Sequence, residues 1–170
     1  MLVVLSGLSG VGKTTVAREL ARVLGAVHLR IDSIEQALRR DGVAVQGEGY
    51  NVAYAVAEDN LRLGRIVVAD CVNPLPLTRG EWRAVASRAG VRALEVEVVC
   101  SDVVEHKRRV ESRTADIPGH RLPTWSEVVD RDYRGWDSPR LVIDTARLSV
   151  RESVAAIASE LSASRPSNAN

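Results

Sequence analysis

The sequence predicts an α/β fold in which a parallel sheet of five strands lies between layers of helices. Short apolar runs alternate with amphipathic stretches along the chain, which is the pattern of parallel strands buried on both faces by crossover helices. With 170 residues, of which 45% are hydrophobic, the chain is long enough for one domain with its own core. We predict the strands at residues 2–6, 26–31, 66–71, 94–100 and 141–143.

The first helix is predicted to run from about residue 12 to residue 24. Val16, Leu20, Val23 and Leu24 recur at three- and four-residue spacing, so they form one buried stripe. Gly25 follows at the position where helices commonly end in a left-handed residue. A series of such β-α-β units implies an open sheet whose ligand site lies at the carboxyl ends of the strands.

Other helix starts are predicted from capping boxes, in which a Ser or Thr and a Glu three residues later cap each other's backbone N–H groups. An acidic version of the pattern has Asp at the first position. The pairs are Thr78 with Glu81, Thr124 with Glu127, Ser149 with Glu152 and, in the acidic version, Asp32 with Glu35.

Residues 7–14 match the phosphate-loop pattern G-x-x-x-x-G-K-[ST] without a mismatch, between the first strand and the first helix. The glycines let successive N–H groups point at phosphate oxygens, and the helix N-terminus adds positive potential. Lys13 supplies a mobile charge for the β- and γ-phosphates, and Thr14 a magnesium ligand. We predict that a nucleoside triphosphate is bound by Gly7, Ser9, Gly10, Val11, Gly12, Lys13, Thr14 and Thr15.

Two aspartates lie at the ends of the second and third strands, at the sheet edge that holds the phosphate loop. Asp32 lies where an acceptor hydroxyl would approach, and a carboxylate there can orient the hydroxyl and accept its proton. The alternative is that Asp32 caps a helix starting at Ser33. Asp70 ends an apolar strand that resembles a Walker B strand, and this resemblance implies a magnesium contact or an acceptor contact; a turn-forming aspartate is the alternative.

The rest of the acceptor site is predicted from position along the chain. Asn73 and Arg79 follow the third strand, on the same loop and helix start, where they either hold the acceptor or lie at the surface. Residues 42–54, which include Gly47 and Tyr50, are predicted to shape the acceptor pocket.

An arginine-rich segment within residues 101–121 is predicted to carry a mobile lid over the phosphates. Negative charge on the transferring group must be neutralised and water excluded, and arginines on a closing segment do both. We predict a lid at about residues 112–124, with Arg109 and Arg113 as catalytic residues and Arg109 also in contact with the nucleotide. A solvated helix face, with Glu105 paired to Arg109, is the alternative.

Further candidates follow on the carboxyl-terminal side of that segment. Arg121 is a third lid arginine. Trp125, Tyr133 and Trp136 concentrate aromatic side chains just beyond it, for packing of the lid base or for stacking on a substrate.

Composition and charge limit the function classes. The 23 basic and 22 acidic residues leave a formal net charge of +1, which argues against a nucleic-acid or membrane-surface binder. Cys71 and Cys100 lie in apolar runs without metal or redox spacing, so we predict buried free thiols in a reducing compartment. No run reaches the length of a transmembrane helix, and we predict a cytoplasmic protein. Residues 162–170 are predicted to be a disordered tail, leaving one domain at 1–161.

The phosphate loop, the strand-end aspartate and the arginine segment together resemble small P-loop kinases of the nucleoside-monophosphate-kinase-like group. Residues 7–15 are similar to the loop of adenylylsulfate kinases and gluconate kinases. Residues 32–37 resemble the segment of chloramphenicol phosphotransferase that carries its proposed base. The chain departs from adenylylsulfate kinases in lacking a D-G-D near the second strand and, having no Phe, in lacking their F-I-S-P pattern.

This resemblance implies a three-layer P-loop NTPase fold with an arginine-rich lid. The site residues that it implies are Lys13 and Thr14 for phosphate and magnesium, Asp32 as base, Arg109 and Arg113 in the lid, and the loop with Arg147 beside adenine.

The predicted function is magnesium-dependent transfer of the γ-phosphoryl group of ATP to a hydroxyl of a small molecule. The acceptor classes are metabolites, nucleosides and antibiotics. Two alternatives stay open: a polynucleotide 5′-hydroxyl kinase, which the near-zero charge disfavours, and a non-catalytic ATP-dependent switch protein. The expected partners are ATP, Mg²⁺ and a small hydroxyl-bearing substrate, with no nucleic acid and no membrane.

Overall fold

A computed structural model describes residues 1–163 of the chain. Its strands are β1 (Leu2–Ser6), β2 (Val27–Arg30), β3 (Val67–Asp70), β4 (Ala93–Val99) and β5 (Leu141–Asp144). All neighbouring strands pair in parallel, in the order β2-β3-β1-β4-β5. The predicted α/β class with a five-stranded parallel sheet is confirmed, and each predicted strand agrees with an observed one to within one residue at either end.

Helices cover both faces of this sheet. Within the described residues they are α1 (Lys13–Leu24), α2 (Ile31–Arg40), α3 (Glu48–Arg62), α4 (Pro76–Arg88), α5 (Val103–Ser112), α6 (Trp125–Val129) and α7 (Val150–Ala163). None of these helices in residues 1–163 is both long and apolar enough to cross a membrane.

The central strand β1 is buried on both faces because its side chains alternate between two hydrophobic clusters. Val3 and Leu5 pack with residues of α1 and α7 on one face. Leu2 and Val4 pack with residues of α3 and α4 on the other. This double burial explains why β1 consists of an unbroken apolar run rather than alternating polar and apolar residues.

Several predicted helix boundaries are confirmed. Helix α1 begins one residue after the predicted position and ends at Gly25, which has a left-handed φ of 58°. Thr124 and Glu127 form the predicted capping box at the start of α6. Ser149 and Glu152 exchange the same pair of side-chain to backbone hydrogen bonds before α7.

Two predicted helix starts are wrong. Helix α4 begins at Pro76, whose fixed φ suits a first turn, and the Thr78 hydroxyl instead donates to the carbonyl oxygen of Leu75 at 3.0 Å. Helix α2 begins at Ile31 directly after β2, so Asp32 lies in its first turn and does not cap a helix starting at Ser33.

The end of α7 changes the boundary of the predicted tail. The helix continues through Ala163, so the first two residues of the predicted tail, 162 and 163, are helical. Residues 164–170, the rest of that prediction, lie outside the described residues.

Both cysteines are free and buried, as predicted. The Cys71 thiol donates to the carbonyl oxygen of Leu5 at 3.7 Å, and the Cys100 thiol donates to that of Asp102 at 3.5 Å. Burial raises the pKa of Cys71 far above its usual value. Cys71 is therefore a neutral packing residue at neutral pH.

A fully buried arginine ties α4 to the segment that leads into β5. This residue is Arg79. Its guanidinium lies over the ring of Trp136, with Cζ 4.1 Å from the ring centroid. It donates hydrogen bonds of 2.8–3.1 Å to the carbonyl oxygens of Asn73, Pro74, Arg134 and Gly135. One side chain therefore satisfies four backbone acceptors in two loops that are distant in sequence.

Replacing Arg79 by Met should destabilise the protein strongly, because four carbonyl groups lose their donor while the site stays buried. We expect the free energy of unfolding in urea to fall by about 3 kcal/mol or more. Arg62→Met is the control: Arg62 lies on the surface of α3, paired with Glu58, and its loss should cost less than about 1 kcal/mol. Equal losses in the two variants would contradict this role for Arg79.

Candidate active site

The loop between β1 and α1 has a backbone conformation that favours glycine. Gly7, Gly10 and Gly12 have φ values of 137°, 87° and 96°. A Cβ on Gly7 would collide with the carbonyl oxygen of Val98 on β4, and one on Gly10 with the side chain of Val110 on α5. The loop therefore fits tightly between the sheet and α5 only because these positions lack side chains.

Backbone N–H groups of this loop are free to bind a ligand. Within residues 1–163, the amides of Ser9, Gly10, Gly12 and Thr14 donate no hydrogen bond to the protein. They lie next to the N-terminus of α1, where the helix dipole adds positive potential. Unpaired amides beside a helix N-terminus form an anion-binding site.

Lys13 lies over the same loop and is almost fully buried. Its Nζ donates a hydrogen bond of 2.7 Å to the carbonyl oxygen of Leu8. Burial lowers the pKa of Lys13, and the nearby carboxylates of Asp70 and Asp32 partly offset that effect. The side chain thus places a movable cation beside the free amides.

Two side chains support the loop from the side of β4 and β5. His106 on α5 has its Nε2 2.8 Å from the carbonyl oxygen of Ser9, and its ring packs edge-on against Trp125, with centroids 5.1 Å apart. Thr145 after β5 donates from Oγ1 to the carbonyl oxygen of Val11 at 2.7 Å. These contacts engage carbonyl oxygens of the loop and none of its amides.

A cavity of about 370 Å³ opens beside the loop. It is bounded by the phosphate loop, the carboxyl ends of β2 and β3, the start of α2 and the segment between α5 and α6. Of the predicted site residues, it brings together Ser9, Gly10, Lys13, Thr14, Asp32, Asp70 and Arg113.

Asp32 lines the cavity from the first turn of α2, with its side chain 42% exposed. The nearby Nη2 of Arg30 is 3.7 Å from its Oδ2, which is too long for a hydrogen bond. No side chain of the described chain donates a hydrogen bond to Asp32. Its carboxylate is therefore available to a group that enters the cavity.

Asp70 lines the cavity from the end of β3 and is 3% exposed. Its Oδ2 lies 3.6 Å from His28 Nε2 and 3.9 Å from Arg30 Nε, and no group in residues 1–163 forms a hydrogen bond with it. Burial acts to raise the pKa of Asp70, but His28, Lys13 and Thr14 outweigh it, so the pKa lies below its usual value. The site thus contains a buried, ionised carboxylate with an unused oxygen beside Thr14.

Only one of the two predicted lid arginines reaches the cavity with Asp32. Arg113 lines it, and its Nε and Nη2 are buried without a partner in the described residues. Arg109 instead donates to Glu105 at 2.7 Å and to Thr145 Oγ1 at 2.9 Å, beside a neighbouring cleft. Arg109 and Arg113 do line one further cleft together, of about 430 Å³, beside Thr14. Because α5 ends at Ser112 and Arg113 is extended, with ψ of 148°, only Arg113 also reaches the cavity that holds Asp32.

The segment predicted to be the lid joins α5 to α6 and forms one wall of the cavity. His120, Arg121, Leu122 and Pro123 line this wall. Arg121, which is largely exposed, donates to Glu127 Oε1 at 2.7 Å. The wall therefore combines apolar and basic side chains.

Asn73 and Arg79 do not line the cavity, contrary to prediction. Both are fully buried. Asn73 adopts a φ of 51° and donates from Nδ2 to Ser6 Oγ at 2.9 Å, while Arg79 is committed to backbone carbonyls. The turn after β3 directs these polar groups into the protein, so they hold the turn rather than a ligand.

The aromatic candidates are packing residues. Trp125 contacts His106 beneath the phosphate loop. Tyr133 and Trp136 surround the guanidinium of Arg79. None of the three aromatic residues lines the cavity, so the packing alternative is correct and the stacking alternative is not supported.

Arg147 also lies outside the cavity and outside the cleft beside Arg109. Its side chain is 80% exposed and pairs with Asp144, with Nε 3.3 Å from Oδ2. The neighbouring Thr145 does line the cleft. The loop after β5 thus borders the cleft without the Arg147 side chain.

Within residues 42–54, the side chains of Val45, Gln46 and Tyr50 line the cavity, as expected for a segment that shapes it. Burial raises the pKa of Tyr50 well above its usual value. Its hydroxyl accepts a hydrogen bond of 2.9 Å from the Asn73 amide. This segment therefore presents a neutral, fixed phenol on the side of the cavity formed by α3.

Sequence reasoning missed several charged residues of the site, of which Glu35 and Arg39 on α2 line the cavity. Arg30 and Arg131 line it as well, and Asp116 lies in the segment predicted to be the lid, hydrogen-bonded to Arg30 at 2.7 Å. The sequence did contain a signal for Arg30 as a site residue, because Arg30 ends the strand that precedes Asp32. Asp116 had none, since its partner is 86 residues away along the chain.

The parallel sheet, the loop of free amides after β1 and the carboxylates at the ends of the neighbouring strands define the protein as a P-loop kinase by class. The AAA_33 family, described as an AAA domain, matches residues 2–131. The chain belongs to this family.

Three relatives illustrate the class. An adenylyl-sulfate kinase of Geotalea uraniireducens is 29% identical over 172 residues, which cover 92% of this chain and 78% of that protein. The APS kinase CysC of Mycobacterium tuberculosis, solved with AMPPNP and APS, has a TM-score of 0.66 at 20% identity and covers 95% of this chain and 96% of its own. A gluconokinase from Sinorhizobium meliloti 1021 has a TM-score of 0.62 at 22% identity, covering 96% and 97%.

Gly10→Ala should destabilise the phosphate loop by more than its backbone angle alone explains. Gly64 is the matched control, since its φ is 77° but nothing lies within 4 Å of its Cβ position. We expect Gly64→Ala to lower the free energy of unfolding by about 1 kcal/mol. Gly10→Ala should cost clearly more, because its methyl group also collides with Val110. Chemical denaturation measures both, and equal costs would argue against the tight fit.

Proposed function

We propose that the protein transfers the γ-phosphoryl group of ATP to a hydroxyl group of a small molecule. The observation that carries this proposal is the shared cavity, in which one wall suits phosphate and the other presents an available carboxylate. The residues concerned are Lys13, Thr14, Asp32, Asp70 and Arg113. Kinase names among the relatives support the reaction class.

On the donor side, we propose that the loop amides and Lys13 bind the β- and γ-phosphates. Arg113 adds two buried, uncommitted N–H donors, which suit the charge that spreads over the transferring group. Arg109 lines the neighbouring cleft of about 320 Å³ beside Thr15 and is assigned to the nucleoside end. The loop with Arg147 would contribute backbone atoms there.

We propose Thr14 and Asp70 as the residues that hold Mg²⁺, directly or through water. The buried Oδ2 of Asp70 lacks a hydrogen-bond partner in the described chain, which fits a carboxylate that serves a cation. Thr14 lines the cavity beside it. The ion, when bound, neutralises charge on the β- and γ-phosphates.

We propose Asp32 as the residue that orients the acceptor. The acceptor oxygen attacks the γ-phosphorus, the bond from that phosphorus to the bridging oxygen breaks, and ADP leaves. The hydroxyl proton passes to the Asp32 carboxylate. Lys13 and Arg113 line the same cavity and offset the negative charge during transfer.

Asp32→Asn should lower kcat by at least about 100-fold, because the amide cannot take the proton. The affinity for ATP, measured by calorimetry, should stay within about threefold, since Asp32 lies on the acceptor side. Asp41→Asn, at the other end of α2, is the control and should leave both quantities unchanged. A parallel loss of ATP affinity in Asp32→Asn would remove Asp32 from the role of base.

An ATP-consumption screen with mass detection tests the function itself. Adenylyl sulfate and gluconate, suggested by the names of the relatives, are the first acceptors to test, followed by hydroxyl-bearing metabolites, nucleosides and antibiotics. We expect one product that is heavier by one phosphate. Phosphorylation of oligonucleotide 5′ ends would instead identify a polynucleotide kinase. ATP binding without any phosphorylated product would identify a nucleotide switch.

A further inference from the structure

The guanidinium of Arg30, at the end of β2, lies close to three carboxylates and is 11% exposed. Its Nη1 is 2.7 Å from Asp116 Oδ2, its Nη2 is 3.7 Å from Asp32 Oδ2, and its Nε is 3.9 Å from Asp70 Oδ2. Only the first distance is that of a hydrogen bond. Arg30 is therefore bound by the lid carboxylate while it lies beside the two carboxylates of the site.

Asp116 connects the lid segment to two elements of the body. Besides Arg30, Arg18 of α1 donates to the same Oδ2. The hydrogen bond from Arg30, followed by that from Arg18, holds the pKa of Asp116 well below its usual value, so the carboxylate is ionised. Since Asp116 is 42% exposed and Arg18 is 55% exposed, these ion pairs are reversible contacts rather than a fixed buried network.

The direction in which Arg30 is held determines whether Asp32 is available. A carboxylate that accepts hydrogen bonds from a guanidinium has those lone pairs committed. With Asp116 in place, the gap of 3.7 Å leaves Asp32 unbound. If Asp116 moved away, the remaining carboxylates within 4 Å of Arg30 in the described chain would be Asp32 and Asp70.

We propose that Asp116 is a positioning residue that couples lid closure to acceptor activation through Arg30. This inference rests on the proposed kinase function and adds to it the requirement that the lid be closed before the acceptor is activated. With the lid closed, Asp116 holds Arg30 and Asp32 is free to take the acceptor proton. With the lid open, Arg30 binds Asp32 and Asp70, so the acceptor is not activated while water can enter.

The lid contact is tested first, without any acceptor. Asp116→Asn removes the charge, Asp116→Glu keeps it, and Glu111→Gln, at an exposed position on α5, is the control. In hydrogen exchange of the unliganded protein, the hydrogen-bonded amides of the lid segment, those of His120 and Thr124, should exchange about tenfold faster in Asp116→Asn and within about threefold of wild type in the other two. Unchanged exchange in Asp116→Asn overturns the inference.

Kinetics with the acceptor found by the screen test the coupling. Asp116→Asn should lower kcat about tenfold with KM for ATP within about threefold, and Asp116→Glu should restore kcat. In an Arg30→Gln background, Asp116→Asn should have no further effect, because the side chain that blocks Asp32 is gone. An equal loss of kcat in both backgrounds overturns the coupling.

These outcomes separate the inference from the function on which it rests. If the wild-type protein phosphorylates no acceptor, the proposed function fails, whatever the lid exchange shows. If it phosphorylates an acceptor at the same kcat with and without the Asp116 charge, the kinase function stands and the coupling is overturned.

Discussion

The position of β1 in the middle of the sheet is the constraint on which the site depends. It pairs in parallel with β3 on one side and β4 on the other, so the chain that leaves β1 emerges between two strand ends. The Gly7 amide donates to the carbonyl oxygen of Val72 at 3.1 Å, next to β3, while its Cα lies against the Val98 carbonyl of β4. The same pairing brings Asp70 to the edge where the phosphate loop begins.

The sequence was sufficient for features encoded locally and insufficient for features that depend on side-chain direction. The strands and the phosphate loop were predictable because apolar runs and glycines act through their immediate neighbours. The role of Arg79 was not predictable, since its four acceptors lie in two loops that only the fold brings together. The direction of Arg113 depends on where α5 ends, one residue before it.

Polar groups around the cavity are less completely satisfied than those of the core. Of the seven buried side-chain polar atoms without a partner in residues 1–163, five belong to His28, Arg30, Asp70 and Arg113. Elsewhere, buried charges such as Arg79 have their hydrogen bonds made within the protein. Unmade hydrogen bonds of this kind cost stability, and they concentrate where a ligand can supply the missing partners.

The loop after β1 offers main-chain amides, whereas the opposite side of the cavity consists of side chains such as Glu35, Arg39, Gln46 and Arg131. Main-chain groups are the same in every residue type, so the loop half tolerates substitutions as long as its glycines, Lys13 and Thr14 remain. In the opposite half, each single substitution changes one of the groups that line the cavity. Sequence divergence in such a fold would therefore change the phosphate acceptor long before it changed the phosphate donor.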